Sequence, residues 1–444
     1  MTHPSVGQAL ALRTVAIETQ GCKLNQADSE LIARSFVQAG YDVVDITEPA
    51  DIYVVNTCTV THQADSKARQ SLRSLHRRNP MAVIVAAGCY AERSPDTLSS
   101  VNGVDLVVGN TQKHDLVRMV LSLTGDYIEP EPIGREGWSW PGAFGRTRSM
   151  LKIQEGCNQV CAYCIVPKVR GRERSIPVDV LLTQVQNRVR EGFKEVVLTG
   201  TQLGSYGFDL KSTSLSDLVK RILTETDIPR LRISSLQPQE ITAELLSAWQ
   251  DPRLCPHFHI PLQSGSASIL EKMRRRYTPY MYQKTVENIQ SLVPNSGITT
   301  DVIVGFPGEG PTEFRESIKL CEELPLTAIH VFPYSMRPGT SAYYIDLHVS
   351  DHEKRRRVKE MQRVAKEKSA NFMETQLGIT HSVLWEGTRV HEDMTWQTGL
   401  TENYLRVYTG AIPALSNTIT DAILLSIQDK IAYARAIVAP DESQ

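Results

Sequence analysis

Between residues 13 and 122 short apolar runs alternate with amphipathic stretches. "VAIETQGC", "IYVVNTC", "AVIVAAGC" and "DLVVGN" are separated by helical patterns such as "QADSELIARSFVQAG". That rhythm predicts an α/β unit built on a mostly parallel sheet. Over residues 123–149 the period fades into Gly, Pro and Trp, and the stretch reads as a linker. From about 150 to 335 alternation resumes, with candidate strands at "MLKIQEG", "EVVLTG", "RLRISS", "PHFHI", "TTDVIVGF" and "AIHVFPY". Six such units predict a partial (β/α)6 barrel rather than a closed eightfold one. Residues 351–376 read as one long helix with a basic face. After it, "HSVLWEG", "NYLRVYTG", "AILLSIQD" and "YARAIV" predict a small β-barrel. The expected division is 12–122, a linker at 123–142, then 143–372 and 373–438.

Composition narrows the class. The chain has 444 residues, more than one hydrophobic core usually organises. Apolar residues at 41% and charged residues at 22% are those of an ordinary soluble protein, and the net charge of −2 is no general attractor of polyanions. A nucleic-acid partner would need local basic patches. The first residues, "MTHPSVGQALALRT", lack the marks of a secretory signal, and no run of about 18 apolar residues occurs, so no membrane span is expected. The expected location is cytoplasmic, where thiols stay reduced and clustered cysteines favour metal over disulfide.

Three of the eight cysteines, Cys157, Cys161 and Cys164, fall within eight positions as C-x3-C-x2-C. Structural zinc uses four protein ligands, and no matching pair follows nearby. Three thiolates suit a cubane iron–sulfur cluster with one iron left open to a ligand. Three further cysteines, Cys22, Cys58 and Cys89, each follow an apolar run and precede a helical segment. The carboxyl ends of parallel strands share one edge, so these residues can converge although they lie 36 and 31 positions apart. Three unrelated buried cysteines would satisfy the same spacing. The recurrence of one placement favours a second cluster. Cys255 and Cys321 lie in apolar contexts and read as packing residues.

Other candidate residues collect at predicted strand ends, where barrel sites form. They are Gly200 and Thr201, Ser234 and Ser235, Gln263 in "IPLQSGS" and Val304 in "ITTDVIVGFPGE". His257 and His259 fit either a core role or a contact with substrate or cofactor. Arg170, Arg172 and Arg174 form one basic knot, Arg274, Arg275 and Arg276 a second, and Lys354 to Arg357 a third. Each could meet RNA or simply be solvated. Tyr404, Arg406 and Tyr408 would share one face of a strand and could grip an oligonucleotide, although a packed tyrosine pair fits the same pattern.

The motif C-x3-C-x2-C with Tyr163 before its last cysteine is similar to that of the radical S-adenosylmethionine superfamily. The resemblance implies a 4Fe–4S cluster on Cys157, Cys161 and Cys164 that binds S-adenosylmethionine (SAM) and yields a 5′-deoxyadenosyl radical. It implies cofactor contacts at Tyr163, Gly200, Thr201, Ser234, Ser235, Gln263 and Val304. Over residues 12–438 the chain resembles the methylthiotransferases, which implies a second 4Fe–4S cluster on Cys22, Cys58 and Cys89 and a terminal TRAM barrel. "GCKLNQADSE", "VPKVRGRERS" and "EKMRRRYT" are most similar to the branch acting on N6-threonylcarbamoyladenosine at tRNA position 37. Lys168 departs from an aromatic common in the family. The branches acting on isopentenyladenosine or on a ribosomal-protein aspartate are the alternatives. The resemblance implies substrate contacts at Lys23, Asn25, Arg170, Arg172, Arg274 and Arg275. It also implies the anticodon loop of tRNA as partner and an electron donor such as flavodoxin or ferredoxin, leaving the sulfur donor open.

Overall fold

Runs of β-branched residues become fully buried strands only where helices cover both faces, and the first part of the chain is built that way. In the computed structural model the described residues are 13–125, 147–391, 393–412 and 415–437. Residues 12, 126–142 and 438, which belong to the expected domain and linker boundaries, lie outside them. The chain divides into two units, Met1–Gly145 and Arg146–Gln444.

The first unit holds β1 (Thr14–Thr19), β2 (Asp42–Val44), β3 (Ile52–Thr57), β4 (Val83–Gly88) and β5 (Leu106–Val108). They form one parallel sheet in the order β2-β1-β3-β4-β5. Alternate residues face two separate cores. Val15, Val54 and Val85 pack with Ile32 and Phe36 on one side, while Tyr53, Val55 and Ile84 pack with Leu72 and Leu75 on the other. The edge strand β2 was not expected. Its three residues are too few to show a period.

The second unit continues with β6 (Arg148–Lys152), a small hairpin of β7 (Gln154–Glu155) and β8 (Arg174–Ser175), then β9 (Glu195–Thr199), β10 (Arg230–Ile233), β11 (His257–His259), β12 (Gly297–Val304) and β13 (Ala328–Pro333). Two parallel three-stranded ladders, β10-β9-β6 and β11-β12-β13, meet through single bridges at Leu231–Leu254 and Ser235–His259. The result is a six-stranded arc, the partial barrel expected. Helices cover its outer face through Leu181, Val185, Val219 and Ile222 on one half and Tyr282, Val286 and Phe314 on the other.

The helix Asp351–Thr375 lies against β13, packing Met361 and Val364 into the same core. Its basic run does not form a free patch. Arg357 is buried and paired with Glu309 at 2.6 Å and Glu353 at 2.8 Å, Arg356 pairs with Glu353 and Glu360, and Lys354 pairs with Asp351. Of the two readings of Lys354–Arg357, these pairs favour an internally neutralised surface for Lys354, Arg356 and Arg357, because a helix with Asp and Glu at three- and four-residue spacing neutralises its own cations.

Beyond it β14 (Thr380–His391), β15 (Met394–Thr401), β16 (Arg406–Gly410), β17 (Ile419–Gln428) and β18 (Ile431–Ala436) close into a small barrel. β15 escaped the sequence reading because its "MTWQTGLT" is mostly polar. Gly399 sits in it where a Cβ would strike Val383 and Trp385.

A buried charge cluster fastens the small barrel to the amino-terminal end of the arc. Glu195 is fully buried and pairs with Arg232 at 2.8 Å and Arg230 at 3.4 Å. The two guanidinium groups also donate to main-chain oxygens of Leu400 and Glu402 at 3.2 and 3.0 Å. In the same turn Tyr404, at φ 78°, stacks on His257 with ring centres 4.1 Å apart, and Arg232 lies over its ring. Tyr404 therefore precedes β16 and serves packing. Arg406 pairs with Glu386 at 2.8 Å and the ring of Tyr408 lies 6.4 Å from that of Tyr433, so each member of the expected RNA-gripping trio has a partner within the protein.

Candidate functional site

Strand order decides where the first three cysteines go. β1, β3 and β4 are neighbours, and each delivers a cysteine just beyond its carboxyl end. Cys22 caps the helix Lys23–Gln38, Cys58 follows β3, and Cys89 opens the helix Cys89–Arg93. Adjacent strands lie about 4.8 Å apart, which brings three sequence-distant sulfurs to one edge. Burial, aided by the closeness of Cys22 and Cys89, pushes the Cys58 thiol up to about 12.

Side chains nearby lock this edge. Asn25 is fully buried and donates to main-chain oxygens of Gln20 at 2.7 Å and Thr57 at 2.9 Å, while Asn56 donates back to the Asn25 oxygen at 2.8 Å. That corrects the reading of Asn25 as an RNA contact: it ties two cysteine-bearing strand ends together. Lys23 is half-buried at the start of the same helix. Asn110 brings an N–H to 3.5 Å from the Cys89 sulfur, a contact no spacing predicted. Gly21, at φ 91°, passes so close to Cys58 that a Cβ there would sit 2.6 Å from its Cβ.

The second trio occupies the loop after β7. Gly156 turns that loop at φ 78°, where a Cβ would lie 2.0 Å from the Arg172 oxygen. The amide of Gln159 points at the Cys157 sulfur at 3.4 Å, and Arg275 brings Nη1 to 3.3 Å from the Cys161 sulfur. Burial pushes Cys157 up to about 11 and Cys164 up to about 12, in both cases with added repulsion from the other thiols of the loop. Buried thiols of this kind stay protonated unless a metal draws the proton off.

Among the described residues only one set of three metal-ligating side chains places its donor atoms within 4.8 Å of one another, and neither cysteine trio is that set. A single tetrahedral ion, with metal–sulfur bonds of about 2.3 Å, would gather its sulfurs to roughly 4 Å. The wider spread leaves room for a cluster and fits one ion poorly. Each trio supplies three sulfurs, one fewer than the irons of a cubane.

Around the second trio the expected cofactor residues are brought together unequally. Gly200 follows β9, and the carboxamide oxygen of Gln154 accepts from the amides of Thr201 and Gln202 at 2.9 and 3.0 Å. The same carboxamide donates to the Gly156 oxygen at 2.8 Å, so one unforeseen glutamine joins the strand end to the cysteine loop. The hydroxyls of Thr201 and Tyr334 are buried without a hydrogen-bond partner. Orphaned hydroxyls beside this loop suit a polar ligand such as SAM. Ser234 is buried and Ser235 half-buried just past β10, and Gln263 turns at φ 66° beside Asp301, whose oxygen accepts its amide. Tyr163 packs against Phe306 and its neighbours under the loop.

Val304 is a correction. Its side chain is fully buried in the outer core, and the neighbouring Ile303 faces the Tyr163 cluster instead. Alternation along a strand makes a one-residue error a change of face.

The basic knots divide similarly. Arg170 is buried, with its guanidinium 2.7 Å from Glu155, so it braces the cysteine loop and is not presented to solvent. Arg275 points at Cys161 and Tyr277. Arg172, Arg174, Arg274 and Arg276 are exposed. Glu240, unmentioned by the sequence reading, accepts from Gln202 close to this site, and burial pushes it up to about 7. Cys255 and Cys321 are buried as expected.

Comparison with known proteins adds the family. The model described as "Uncharacterized protein family UPF0004" matches residues 14–109, and that of the radical SAM superfamily matches residues 151–321. The chain is 39% identical to the threonylcarbamoyladenosine tRNA methylthiotransferase of Aquifex aeolicus over 88% of this chain and 96% of that one. It is 37% identical to the Bacillus subtilis protein of the same name over 89% and 90%. A tRNA-2-methylthio-N6-dimethylallyladenosine synthase of Pelotomaculum thermopropionicum is 34% identical over 83% and 86%. Among solved structures, the radical SAM methyltransferase TsrM of Kitasatospora setae superposes with a TM-score of 0.55 at 16% identity, covering 74% of this chain and 75% of that one. That likeness speaks to fold alone.

Proposed function

The chain belongs to the radical SAM tRNA methylthiotransferases, and on that premise we propose that it converts N6-threonylcarbamoyladenosine at tRNA position 37 to its 2-methylthio derivative. The observation that carries this reading is the pair of cysteine trios, the first at the carboxyl edge of parallel strands and the second in the loop after β7, each short of one ligand for a cubane. Cys157, Cys161 and Cys164 would hold the SAM-binding cluster, and Cys22, Cys58 and Cys89 a second one. When bound, these groups supply the carbon radical and the sulfur that an unactivated C2–H demands, since no side-chain acid or base removes that hydrogen at neutral pH.

The residues of the chain bind, orient and seclude. Gln154 holds the Gly200–Gln202 turn against the cysteine loop, where the Thr201 hydroxyl can meet the cofactor. Arg170 and Glu155 fix the base of that loop, and Arg275 donates to Cys161. Exposed Arg172, Arg174, Arg274 and Arg276 offer phosphate contacts for an anticodon loop, whose splayed bases a protein can read. An electron donor of the flavodoxin or ferredoxin kind would serve the reduction. Among the described residues no helix is long and apolar enough to cross a membrane.

The test is direct. Anaerobically reconstituted protein given SAM, reductant and a threonylcarbamoyl-bearing anticodon stem-loop should yield the 2-methylthio nucleoside by mass spectrometry. Release of 5′-deoxyadenosine with the nucleoside left unchanged would defeat the reading. An isopentenyl stem-loop in parallel decides between the two tRNA branches.

A further inference from the structure

Three side chains on the inner face of the arc have no part in the roles above. His259 on β11, Asp301 on β12 and His330 on β13 each offer one donor atom, all within 4.8 Å of one another. Register explains the meeting. Asp301 pairs directly with His330 across β12 and β13, and His259 pairs with Thr299 across β11 and β12. The intervening Phe258, Ile298, Val302 and Ile329 point to the outer core, so the polar set points inward.

His259 is fixed at both nitrogens. Nε2 lies 3.2 Å from Asp301 Oδ2, and Nδ1 lies 2.9 Å from Thr299 Oγ1, itself 3.1 Å from His257 Nε2. Asp301 is thereby aimed, while the ring of His330 is exposed. Beside them a cavity of about 650 Å³ opens between β13, the helix Asp351–Thr375 and the small barrel. His330 and Thr299 form part of its wall together with Lys366, Lys430 and Arg406, the last already paired with Glu386, and among the described residues no carboxylate lines it. A wall of that composition favours an anionic group.

We propose that His259, Asp301 and His330 form the subsite that reads the N6 substituent of the target adenosine. His330, backed by the cationic wall, takes the carboxylate of the threonylcarbamoyl group, and Asp301 accepts a ureido N–H. This rests on the function proposed above and specifies where its substrate is recognised. Asp301 lies three residues before the end of β12, so about 10 Å down the arc from the layer of strand ends that carries the cysteine loop. On adenine C2 and C6 flank N1, and the bonds leaving them diverge obliquely. A base with C2 toward that layer therefore carries its N6 substituent sideways and away from the layer, into the arc. His259 acts through Asp301 and is a positioning residue.

The experiment compares two stem-loops on one enzyme preparation, the threonylcarbamoyl RNA and its methyl ester, as a ratio of kcat/KM. Any loss of folded protein cancels in that ratio, and so does any contact with a backbone phosphate, which both RNAs share. Wild type should prefer the free carboxylate by at least about tenfold, since a site built to pair a polar group rejects the analogue lacking it. His330→Ala should bring the ratio to within about twofold, with His330→Gln between the two. His259→Ala should lower it less, and His259→Gln, which can still hold Asp301, should restore it.

A His330→Ala enzyme that weakens on both RNAs alike would assign the cavity to a backbone phosphate and overturn the proposal. So would one that keeps the wild-type ratio. If wild type itself leaves the threonylcarbamoyl RNA unchanged, the proposed function falls and this subsite falls with it.

Discussion

Two buried carboxyl groups in the second unit titrate in opposite directions, and the difference can be measured. Burial alone would raise Glu195, but Arg232 and Arg230 outweigh it and hold the carboxyl at about 2. Its contribution to stability is therefore complete above the ordinary carboxylate range and disappears as pH falls toward 2. Glu240 is the reverse, since burial dominates and lifts it to about 7. It favours the folded state while protonated, and that contribution is lost as pH rises from about 4.5 to 7, by an amount on the order of 3 kcal/mol. Denaturant titrations should show Glu240→Gln flattening the decline between about pH 4.5 and 7. A variant with the wild-type slope would refute the assignment. At the first cysteine edge Gly21→Ala meets both the φ of 91° and the Cys58 side chain. Reconstituted Gly21→Ala should hold roughly four irons per chain where wild type holds about eight. Gly40→Ala, equally strained at φ 81° but with open space around it, should keep the full complement.

Elements are secured by a few side chains whose partners lie far away in sequence. Arg357 belongs to a helix that looks uniformly basic, yet it alone in its turn is buried, against Glu309. Arg357→Ala strands that carboxylate and should cost about 3–5 kcal/mol in a melting experiment. Arg356→Ala, on the exposed face of the same turn, should be nearly silent. Equal effects of the two would show that the helix is held by its surface pairs. The helix itself was legible as a periodic run, as were the six strands of the arc. Its inward-facing arginine was not, because nothing in "EKRRRVKE" marks which residue meets Glu309. Strands β2 and β15 escaped notice for a related reason. One is three residues long, and the other is stabilised by partners on both sides more than by its own apolar content.

At the scale of the whole molecule, the first unit carries its own two-sided core and its own cysteine trio. A fragment of residues 1–125 should therefore fold alone and reconstitute about four irons. A fragment that is soluble but binds no iron would remove the second cluster from the proposal. The second unit is less divisible. Removing the small barrel would leave Arg230 and Arg232 without their main-chain acceptors and His257 without Tyr404, so a chain ending at residue 375 should not give a folded second unit.

The order of elements, the two trios and their placement after apolar runs were all present in the sequence, because local periodicity and spacing are properties of the chain itself. Which cysteines meet depends on the strand order β1-β3-β4. Which arginines face outward depends on the burial of Arg170 and Arg357 and on the turning of Arg275 toward a sulfur. The meeting of His259, Asp301 and His330 needs a register across three strands. A one-dimensional pattern names which residues could act, and only the packing of elements against one another sets the distances and dielectric surroundings in which they do.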